Sequence, residues 1–367
     1  MPAPAGHPHM GRGPMSLGMM RSFRLERFGA PLCEVVEPVP VPQGTEVLVR
    51  VSACGLCHSD LHFVDGHFDL GQGRRLELSH VGPPRVLGHE IVGEVVAAGP
   101  QAAGVPVGAR RLVYPWIGCG TCRMCRSGLD NYCSRSRSLG VRMDGGFSTH
   151  VLVPHPRYLV DFSGIPEHVA CTCACSGLTA YSALRKVSLA VSDDSLLLIG
   201  AGGVGLACVY LAHLLLRADP VVADIDPAKR AAAQAAGASL AVDPGEEGIA
   251  RRLLERTEGG FAAVIDFVGT QSTAEFGMSL LRRGGRLVSV GLVGGSVEVA
   301  LPLLAVRTIM LQGSYVGSLD ELKELIDVLR TRGAYPLPIT PRPLDEANAA
   351  LDDLRAGRVV GRTVLVP

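Results

Sequence analysis

The sequence predicts an α/β protein in which a doubly wound parallel sheet is joined to a second, β-rich domain. From residue 195 onward, strand-like apolar runs such as SLLLIG, PVVADI and FAAVIDFVG alternate with helix-like stretches such as PAKRAAAQAAG. This alternation is typical of a parallel sheet with helices on both faces. The earlier part instead contains β-branched runs closed by turn residues, as in EVLVRVSAC (46–54) and IVGEVVAAG (91–99). A length of 367 residues is enough for two such domains.

The charge balance and the cysteines restrict the class of protein. Lys+Arg and Asp+Glu both number 35, and no basic block is present, so no electrostatic feature favours nucleic acid or an anionic membrane. The cysteine count is eleven, and an odd number in a chain of this size is poor evidence for a disulfide framework. No signal peptide is recognisable, so the sequence predicts a reducing, cytoplasmic location, where clustered thiolates usually bind metal.

Four segments complete the predicted organisation. Residues 1–19 are rich in Gly, Pro, Met and His without periodicity, and we interpret them as a disordered N-terminal extension. Residues 195–216 carry no charge and could span a bilayer by length, but glycines near the start favour a strand–turn–helix, so no membrane association is predicted. Residues 65–88 are predicted to form a long loop. After residue 317, two helices and the terminal strand GRTVLVP are expected to complete the first domain.

A glycine-rich motif predicts a dinucleotide site. The segment GAGGVG fits G-x-G-x-x-G between an apolar strand and a helix, with Gly200, Gly202, Gly203, Val204 and Gly205 as its candidate cofactor contacts. The first glycine makes the turn, the second admits the pyrophosphate, and the third lets helix and strand pack closely. Asp224 follows Gly205 by nineteen residues, where an acid binds the ribose hydroxyl and repels a 2′-phosphate, which favours NAD over NADP. Asp226 is a competing acid, and a glycine turn that binds nothing is the structural alternative.

A short cysteine-rich lobe predicts a structural metal site. Four cysteines at x2, x2 and x7 spacing can satisfy tetrahedral zinc without an open position: Cys119, Cys122, Cys125 and Cys133. An iron–sulfur cluster is the alternative, although the x7 gap and the absence of a proline after the fourth cysteine differ from ferredoxin runs. A nucleic-acid-binding zinc ribbon is another, supported by nearby arginines and disfavoured by the neutral chain.

A second, reactive metal would need three protein ligands and an open position. Cys57 follows a predicted strand and His89 precedes another. Neither residue alone establishes a reactive metal site, because a single histidine before a strand is more often structural. Cys54 and Cys57 also have the spacing of a redox CxxC pair.

Taken together, these segments resemble the zinc-containing medium-chain alcohol dehydrogenases across residues 20–367. The resemblance is carried by VSACGLCHSD, VLGHEIVGEV, CSGLTAYSAL, GCGTCRMCRSGLDNYC and RVVGRTVLVP, and YPWIGCG is most similar to bacterial and archaeal members. It implies a GroES-like catalytic domain over residues 20–176, completed by 317–367. A Rossmann NAD-binding domain is implied over residues 177–316.

The resemblance also implies the residues of a catalytic zinc site. Its ligands would be Cys57, His89 and Cys175, with Glu90 close to the metal and Asp60 orienting His89. Cys171 and Cys173 are alternatives for the third ligand, and Cys175 is preferred because CSGLTAY matches the family pattern of ligand, Ser or Ala, and Gly. Ser59 and His62 are implied as the proton relay.

Further cofactor and substrate contacts follow from the same resemblance. Those expected on the cofactor are His58 and Arg362 at the pyrophosphate, Lys229 at the adenosine ribose, and Val268, Val290 and Leu292 at the nicotinamide half. Trp116 and Leu139 are candidate walls of the substrate pocket, although Trp116 could equally be ordinary core packing.

The implied function is hydride transfer between a primary or secondary alcohol and NAD, giving an aldehyde or ketone, and the reverse. Two zinc ions per chain are expected, one catalytic and one structural. The alternatives are a polyol or other specialised dehydrogenase, and a non-catalytic nucleotide-binding zinc protein. The expected partners are small-molecule substrates and further copies of the chain, with a tetramer favoured and a dimer possible.

Overall fold

A computed structural model describes residues 18–187 and 195–367. The strands in the described residues are Met19–Leu25 (β1), Cys33–Pro38 (β2), Val47–Gly55 (β3), His67–Asp69 (β4), Arg75–Glu77 (β5), Arg85–Val86 (β6), Glu90–Ala98 (β7), Arg110–Val113 (β8), His150–Val153 (β9), Leu159–Val160 (β10), Leu196–Ile199 (β11), Val221–Ala223 (β12), Leu240–Val242 (β13), Phe261–Asp266 (β14), Leu281–Ser289 (β15), Met310–Gly313 (β16), Ile339–Pro343 (β17) and Arg362–Val366 (β18). The α-helices are His58–Asp65 (α1), Arg123–Arg126 (α2), Glu167–Thr172 (α3), Leu178–Arg185 (α4), Gly203–Leu216 (α5), Pro227–Ala235 (α6), Ile249–Arg256 (α7), Gln271–Ser279 (α8), Leu301–Arg307 (α9), Leu319–Arg332 (α10) and Ala347–Arg355 (α11).

A six-stranded parallel sheet forms the later part of the chain. Its strands run in the order β13-β12-β11-β14-β15-β16, and every neighbouring pair is parallel. All residues of β11 and β14 are buried, as expected where helices cover both faces of a sheet. The predicted doubly wound sheet is therefore confirmed. Strands β13 and β16 and helix α9 were not predicted, because they are short and show no clear period.

A mixed seven-stranded sheet forms the other part. Its order is β10-β8-β7-β3-β18-β17, and β9 also pairs with β3. Strand β18 comes from the end of the chain and pairs with β3 antiparallel and with β17 parallel. Val364 and Leu365 in this strand are completely buried. The last strand of the chain therefore lies in the β-rich part of the molecule.

The segment 65–88 is not the long loop that the sequence predicts. It contains the antiparallel hairpin β4–β5, a 3₁₀ turn at Ser79–Val81 and strand β6. Strands of two or three residues are too short for an alternating pattern to be visible in the sequence. The hairpin also approaches the parallel-sheet part closely, since a Cβ at Gly71 would lie 2.7 Å from the backbone N of Ser296.

Two further predicted segments, residues 1–19 and 195–216, can be compared with the structure. Most of the predicted N-terminal extension, residues 1–17, lies outside the described residues, and β1 begins at Met19. Residues 195–216 form strand β11, a glycine turn and helix α5. In the part of the chain that the structure describes, no helix has the length and apolar character needed to cross a membrane.

Burial of the terminal strand leads to a stability prediction. Val364→Ala should lower the free energy of unfolding by about 2 kcal/mol, because it leaves a cavity in a closed core. The matched control is Val107→Ala, since Val107 is 65% exposed and its truncation should change stability by less than about 0.5 kcal/mol. Denaturant midpoints would test this, and equal midpoints for the two variants would contradict the placement of β18.

Candidate functional site

Three side chains from distant parts of the chain meet as one candidate metal site. Cys57 lies between β3 and α1, His89 lies directly before β7, and Cys175 lies in a π-helical turn, Cys173–Gly177, between α3 and α4. Their ligand atoms all lie within 4.8 Å of one another, and all three residues are buried. The three ligands implied by the resemblance are thus brought together.

The two alternative cysteines have other contacts. The Cys171 thiol donates to the carbonyl oxygen of Glu90 at 2.9 Å. The sulfur of Cys173 lies 3.2 Å from the hydroxyl of Tyr335. Only Cys175 of these three cysteines therefore joins the candidate site among the described residues.

His89 provides a test of whether these residues fit a metal. The residue is completely buried, and among the described atoms neither ring nitrogen makes a well-formed hydrogen bond. Nδ1 lies 3.3 Å from Oδ1 of Asp60, whose other oxygen accepts from the Cys57 amide at 2.9 Å. An unpaired buried ring nitrogen costs about 1–3 kcal/mol, so Nε2 needs a partner. Two sulfurs and one imidazole are a donor set that suits zinc with one position left open.

The electrostatics of Cys57 agree with a cation site. A hydrogen bond from the Cys175 thiol, assisted by His89, holds the pKa of Cys57 well below its ordinary value although burial opposes this. Cys57 is therefore poised as a thiolate, the form that binds zinc.

Glu90 lies beside this cluster and is held by two partners. Burial raises its pKa to about 7, and the positive charge of Arg362 opposes the increase. Its Oε2 accepts from the Arg362 guanidinium at 2.5 Å, and its Oε1 accepts from the Ser176 amide at 3.0 Å. A side chain at Gly55 would place Cβ 2.0 Å from Oε2, so this glycine makes room for the carboxylate. With both oxygens engaged, direct metal binding by Glu90 stays a prediction.

The four cysteines of the short lobe form a second cluster. The sulfur of Cys122 lies 3.4 Å from that of Cys125 and 3.8 Å from that of Cys133, and all four sulfurs lie within 4.8 Å of one another. Tetrahedral zinc with four thiolates requires sulfur–sulfur separations of about 3.8 Å. Hydrogen bonding from Thr121 lowers the pKa of Cys119 to about 5, and Arg135 donates to the same sulfur at 3.6 Å. Arg135 therefore supports the lobe, which weakens the argument for a nucleic-acid-binding ribbon.

The glycine turn is built as the motif predicts. Gly200 has φ of +94°, a conformation that favours glycine, and its amide donates to the Ala223 carbonyl at 2.8 Å. A Cβ at Gly205 would lie 1.9 Å from the Gly200 oxygen, whereas a Cβ at Gly202 would meet nothing within 4 Å. Gly205 thus serves close packing, and the space beside Gly202 is open to a ligand. Val204 follows Gly203 in the first turn of α5.

The two candidate acids of the nucleotide site have different partners. Asp224, after β12, accepts from the Ala201 amide in the glycine turn at 2.7 Å. Asp226 instead caps the N-terminus of α6 and accepts from the Ala228 amide at 2.8 Å. Asp224 is therefore the acid that faces the glycine turn. Lys229, in the first turn of α6, lies 4.0 Å from Asp226.

The residues expected at the nicotinamide half lie on two linked loops. Val268 follows β14 and packs against Gly200, while Val290 and Leu292 follow β15. The buried carboxylate of Asp266 accepts from the amides of Val268 and Gly269 at 2.9 and 3.0 Å. Asp266 was not predicted from the sequence, because an acid at the end of an apolar strand is typical of a turn.

Arg362 connects the glycine turn with the cluster of Cys57, His89 and Cys175. Its side chain passes over Gly203, where a Cβ would lie 2.1 Å from Cδ, before reaching Glu90. The Nε atom is buried and has no partner among the described residues. A free buried donor beside a helix N-terminus suits a phosphate group. His58, the first residue of α1, is exposed.

The two relay candidates lie on one short helix. Ser59 and His62 are both in α1 and partly buried, and they make no hydrogen bond with each other. The ring of His62 packs against Phe68 with the centroids 4.9 Å apart. Burial lowers the pKa of His62, and the charge of His58 lowers it further. The imidazole is therefore neutral near pH 7 and able to accept a proton.

Aromatic residues lie beside the cluster of Cys57, His89 and Cys175. The Trp116 ring centroid lies 5.3 Å from that of His89 and 5.6 Å from that of Tyr315. Tyr315 is partly exposed, and it was not predicted because nothing in the sequence near β16 marks a site. Leu139 is completely buried.

The chain is similar to known protein families, to individual relatives and to solved structures. Residues 43–164 match the family described as "Alcohol dehydrogenase GroES-like domain", and residues 203–331 match "Zinc-binding dehydrogenase". An NAD-dependent alcohol dehydrogenase of Sulfurisphaera tokodaii is 35% identical over 349 residues, covering 95% of this chain and 100% of the relative. A D-arabinose 1-dehydrogenase (NADP(+)) of Saccharolobus solfataricus is 32% identical, covering 94% and 96%. The crystal structure of an alcohol dehydrogenase from Aeropyrum pernix has a TM-score of 0.82 at 30% identity, covering 95% of this chain and 100% of that one.

The glycine turn yields a prediction that separates packing from ligand binding. Gly205→Ala should lower the free energy of unfolding of the cofactor-free protein by about 2 kcal/mol or more, because its Cβ meets backbone that cannot move aside. Gly202→Ala should leave the unfolding of that protein unchanged but weaken NADH binding, since the methyl group enters the space for the pyrophosphate. Thermal unfolding and NADH fluorescence titration would check both. Unchanged NADH affinity in Gly202→Ala would contradict cofactor binding at this turn.

Proposed function

Because the chain belongs to the zinc-dependent medium-chain alcohol dehydrogenase family, we propose that Cys57, His89 and Cys175 hold its catalytic zinc ion. The protein is an enzyme that interconverts alcohols and carbonyl compounds, and it uses zinc and NAD. The proposed substrates are primary or secondary alcohols and the matching aldehydes or ketones. The four-cysteine lobe is proposed to bind a second zinc ion with a structural role, because four thiolates leave no open position.

One observation carries this proposal above the others. Among the described residues, Nε2 of the buried His89 has no hydrogen-bond partner and faces two buried cysteines, and Arg362 joins that cluster to the glycine turn. The glycine turn therefore lies close enough to the three-residue cluster for both to line one cleft. We propose that this cleft separates a GroES-like domain, residues 20–176 with 317–367, from a Rossmann domain, residues 177–316. The domain limit at residue 176 would fall inside the continuous helical segment that carries Cys175.

The proposed mechanism assigns separate tasks to the chain's own side chains. When bound, zinc supplies a Lewis acid that lowers the pKa of the substrate hydroxyl, and NAD supplies the hydride acceptor. Ser59 would accept the hydroxyl proton on its side-chain oxygen while giving up its own. His62 would take up a proton at a neutral ring nitrogen and release it to solvent. Asp60 would hold His89 in the ring orientation that presents Nε2 to the metal.

The cofactor contacts are proposed on the same geometry. Asp224 would bind the adenosine ribose, assisted by Lys229, and its charge would disfavour a 2′-phosphate. Arg362 and His58 would contact the pyrophosphate, and Val268, Val290 and Leu292 would surround the nicotinamide half. Glu90 would remain close to the zinc ion without replacing a ligand in the arrangement described.

A polyol or sugar dehydrogenase is the alternative within the same chemistry. The similarity to the D-arabinose 1-dehydrogenase favours keeping it, although that relative is described as using NADP. A non-catalytic nucleotide-binding zinc protein is a weaker alternative, because it gives no reason for Cys57, His89 and Cys175 to converge. Trp116, Tyr315 and Leu139 are proposed to influence which alcohols are accepted.

Oligomerisation and location are also proposals. We propose a homo-oligomer, with a tetramer favoured and a dimer possible, which light scattering would distinguish. It is supported by an apolar surface on α9 and edge strand β16, where Leu301, Leu303 and Val306 are exposed. A cytoplasmic location is proposed because clustered thiolates usually bind metal in a reducing compartment.

Metal removal tests the proposed function directly. The purified protein should bind two zinc ions per chain and reduce NAD in the presence of alcohols, and removal of zinc by a chelator should abolish the reaction. Absorbance in the NADH band with a panel of aliphatic, aromatic and polyol alcohols would measure this. Cys175→Ser should lose one zinc ion and the activity, while Cys173→Ser should retain both. A protein with only one zinc ion and no activity would contradict the catalytic assignment.

The relay makes a prediction about pH. His62→Gln should slow alcohol oxidation below neutral pH by roughly tenfold, because hydroxide is scarce there and the neutral ring is lost as a base. Because the pKa of His62 is lowered from 6.5, the native ring stays unprotonated and able to accept a proton somewhat below pH 6.5. The rate of the native enzyme should therefore decline only below pH 6.5. Initial rates across pH, with zinc content as the control, would check this. Superimposable profiles for native and variant enzymes would rule out the relay.

A further inference from the structure

The helical segment that carries Cys175 is interrupted at that residue. Helices α3 and α4 are joined by the π-helical turn Cys173–Gly177, whose residues are all buried. A π turn departs from the regular i→i−4 ladder of hydrogen bonds and occurs often at functional sites. Backbone groups displaced from that ladder need other partners when water cannot reach them.

Two side chains from the β-rich part of the molecule provide such partners. The indole Nε1 of Trp116 donates to the Ala174 carbonyl at 3.1 Å. Oε1 of Glu90 accepts from the Ser176 amide at 3.0 Å. These two bonds engage the residues directly before and directly after Cys175. The Ser176 hydroxyl closes the turn by donating to the Thr172 carbonyl at 2.9 Å.

We propose that Trp116, together with Glu90, is a positioning residue that holds the backbone on both sides of Cys175 and so aims its sulfur at Cys57 and His89. The inference rests on the proposed role of Cys175 as a zinc ligand. Trp116 is buried and its ring also packs against His89, so one side chain constrains two members of the cluster. This assigns the indole N–H a role that an apolar pocket wall would not need.

The test compares metal binding in Trp116→Phe with that in Tyr315→Phe. Phenylalanine keeps an aromatic ring against His89 but removes the N–H, and Tyr315→Phe alters an aromatic neighbour of Trp116 that makes no bond to the π turn. Trp116→Phe should release one of two zinc ions about tenfold faster to a chelator, while the other ion, in the four-cysteine lobe, is released at the native rate. After cobalt substitution, the visible and sulfur-to-metal absorption bands of the catalytic site should shift. Native release and native bands in Trp116→Phe would overturn the proposal.

A matched pair at Glu90 keeps the proposal testable if Trp116→Phe fails to fold. Glu90→Gln and Glu90→Met both remove the charge opposite Arg362, but only glutamine retains an oxygen that can accept from the Ser176 amide. We expect faster metal release from Glu90→Met than from Glu90→Gln. Equal rates of release would contradict the proposed positioning of Cys175. If Cys175 were not a zinc ligand at all, the result would be different. Cys175→Ser would then have the metal content and the cobalt bands of the native protein.

Discussion

The buried ion pair between Glu90 and Arg362 connects the parts of this molecule that must act together. Arg362 begins the last strand of the chain, crosses the glycine turn at Gly203 and ends on a carboxylate next to His89. Both groups are excluded from water, so removing either partner would leave an uncompensated charge at a cost of about 3–5 kcal/mol. The pair therefore makes the positions of the terminal strand, the glycine turn and the three-residue cluster depend on one another.

Glycines permit this arrangement by leaving space where the backbone and charged side chains approach. Gly55 leaves room for the Glu90 carboxylate, Gly203 for the Arg362 side chain and Gly205 for the carbonyl of Gly200. At each of these positions a Cβ would lie 2.1 Å or less from a neighbouring atom. The ion pair and the turn are thus possible only because these positions carry no side chain.

Features that depend on neighbouring residues were predictable from the sequence. The strand–helix alternation, the glycine turn and the four-cysteine lobe each lie within a short stretch, so their spacing already restricts the geometry. Asp266 and Tyr315 were missed because their importance comes from what packs against them. The hairpin at 67–77 was missed because strands of three residues leave no periodic signal.

The sequence by itself determined a parallel sheet with a dinucleotide turn and a closed cysteine lobe, and a family resemblance that named a second metal site. Only the tertiary structure decided which residues meet. Cys57, His89 and Cys175 come from a strand end, a strand start and a π turn, and folding selects Cys175 over Cys171 and Cys173 as the neighbour of Cys57. It likewise directs Asp224 to the glycine turn and Asp226 to a helix end. The reason is that side-chain direction in these segments depends on helix phase and strand pairing between distant parts of the chain, which local spacing does not record.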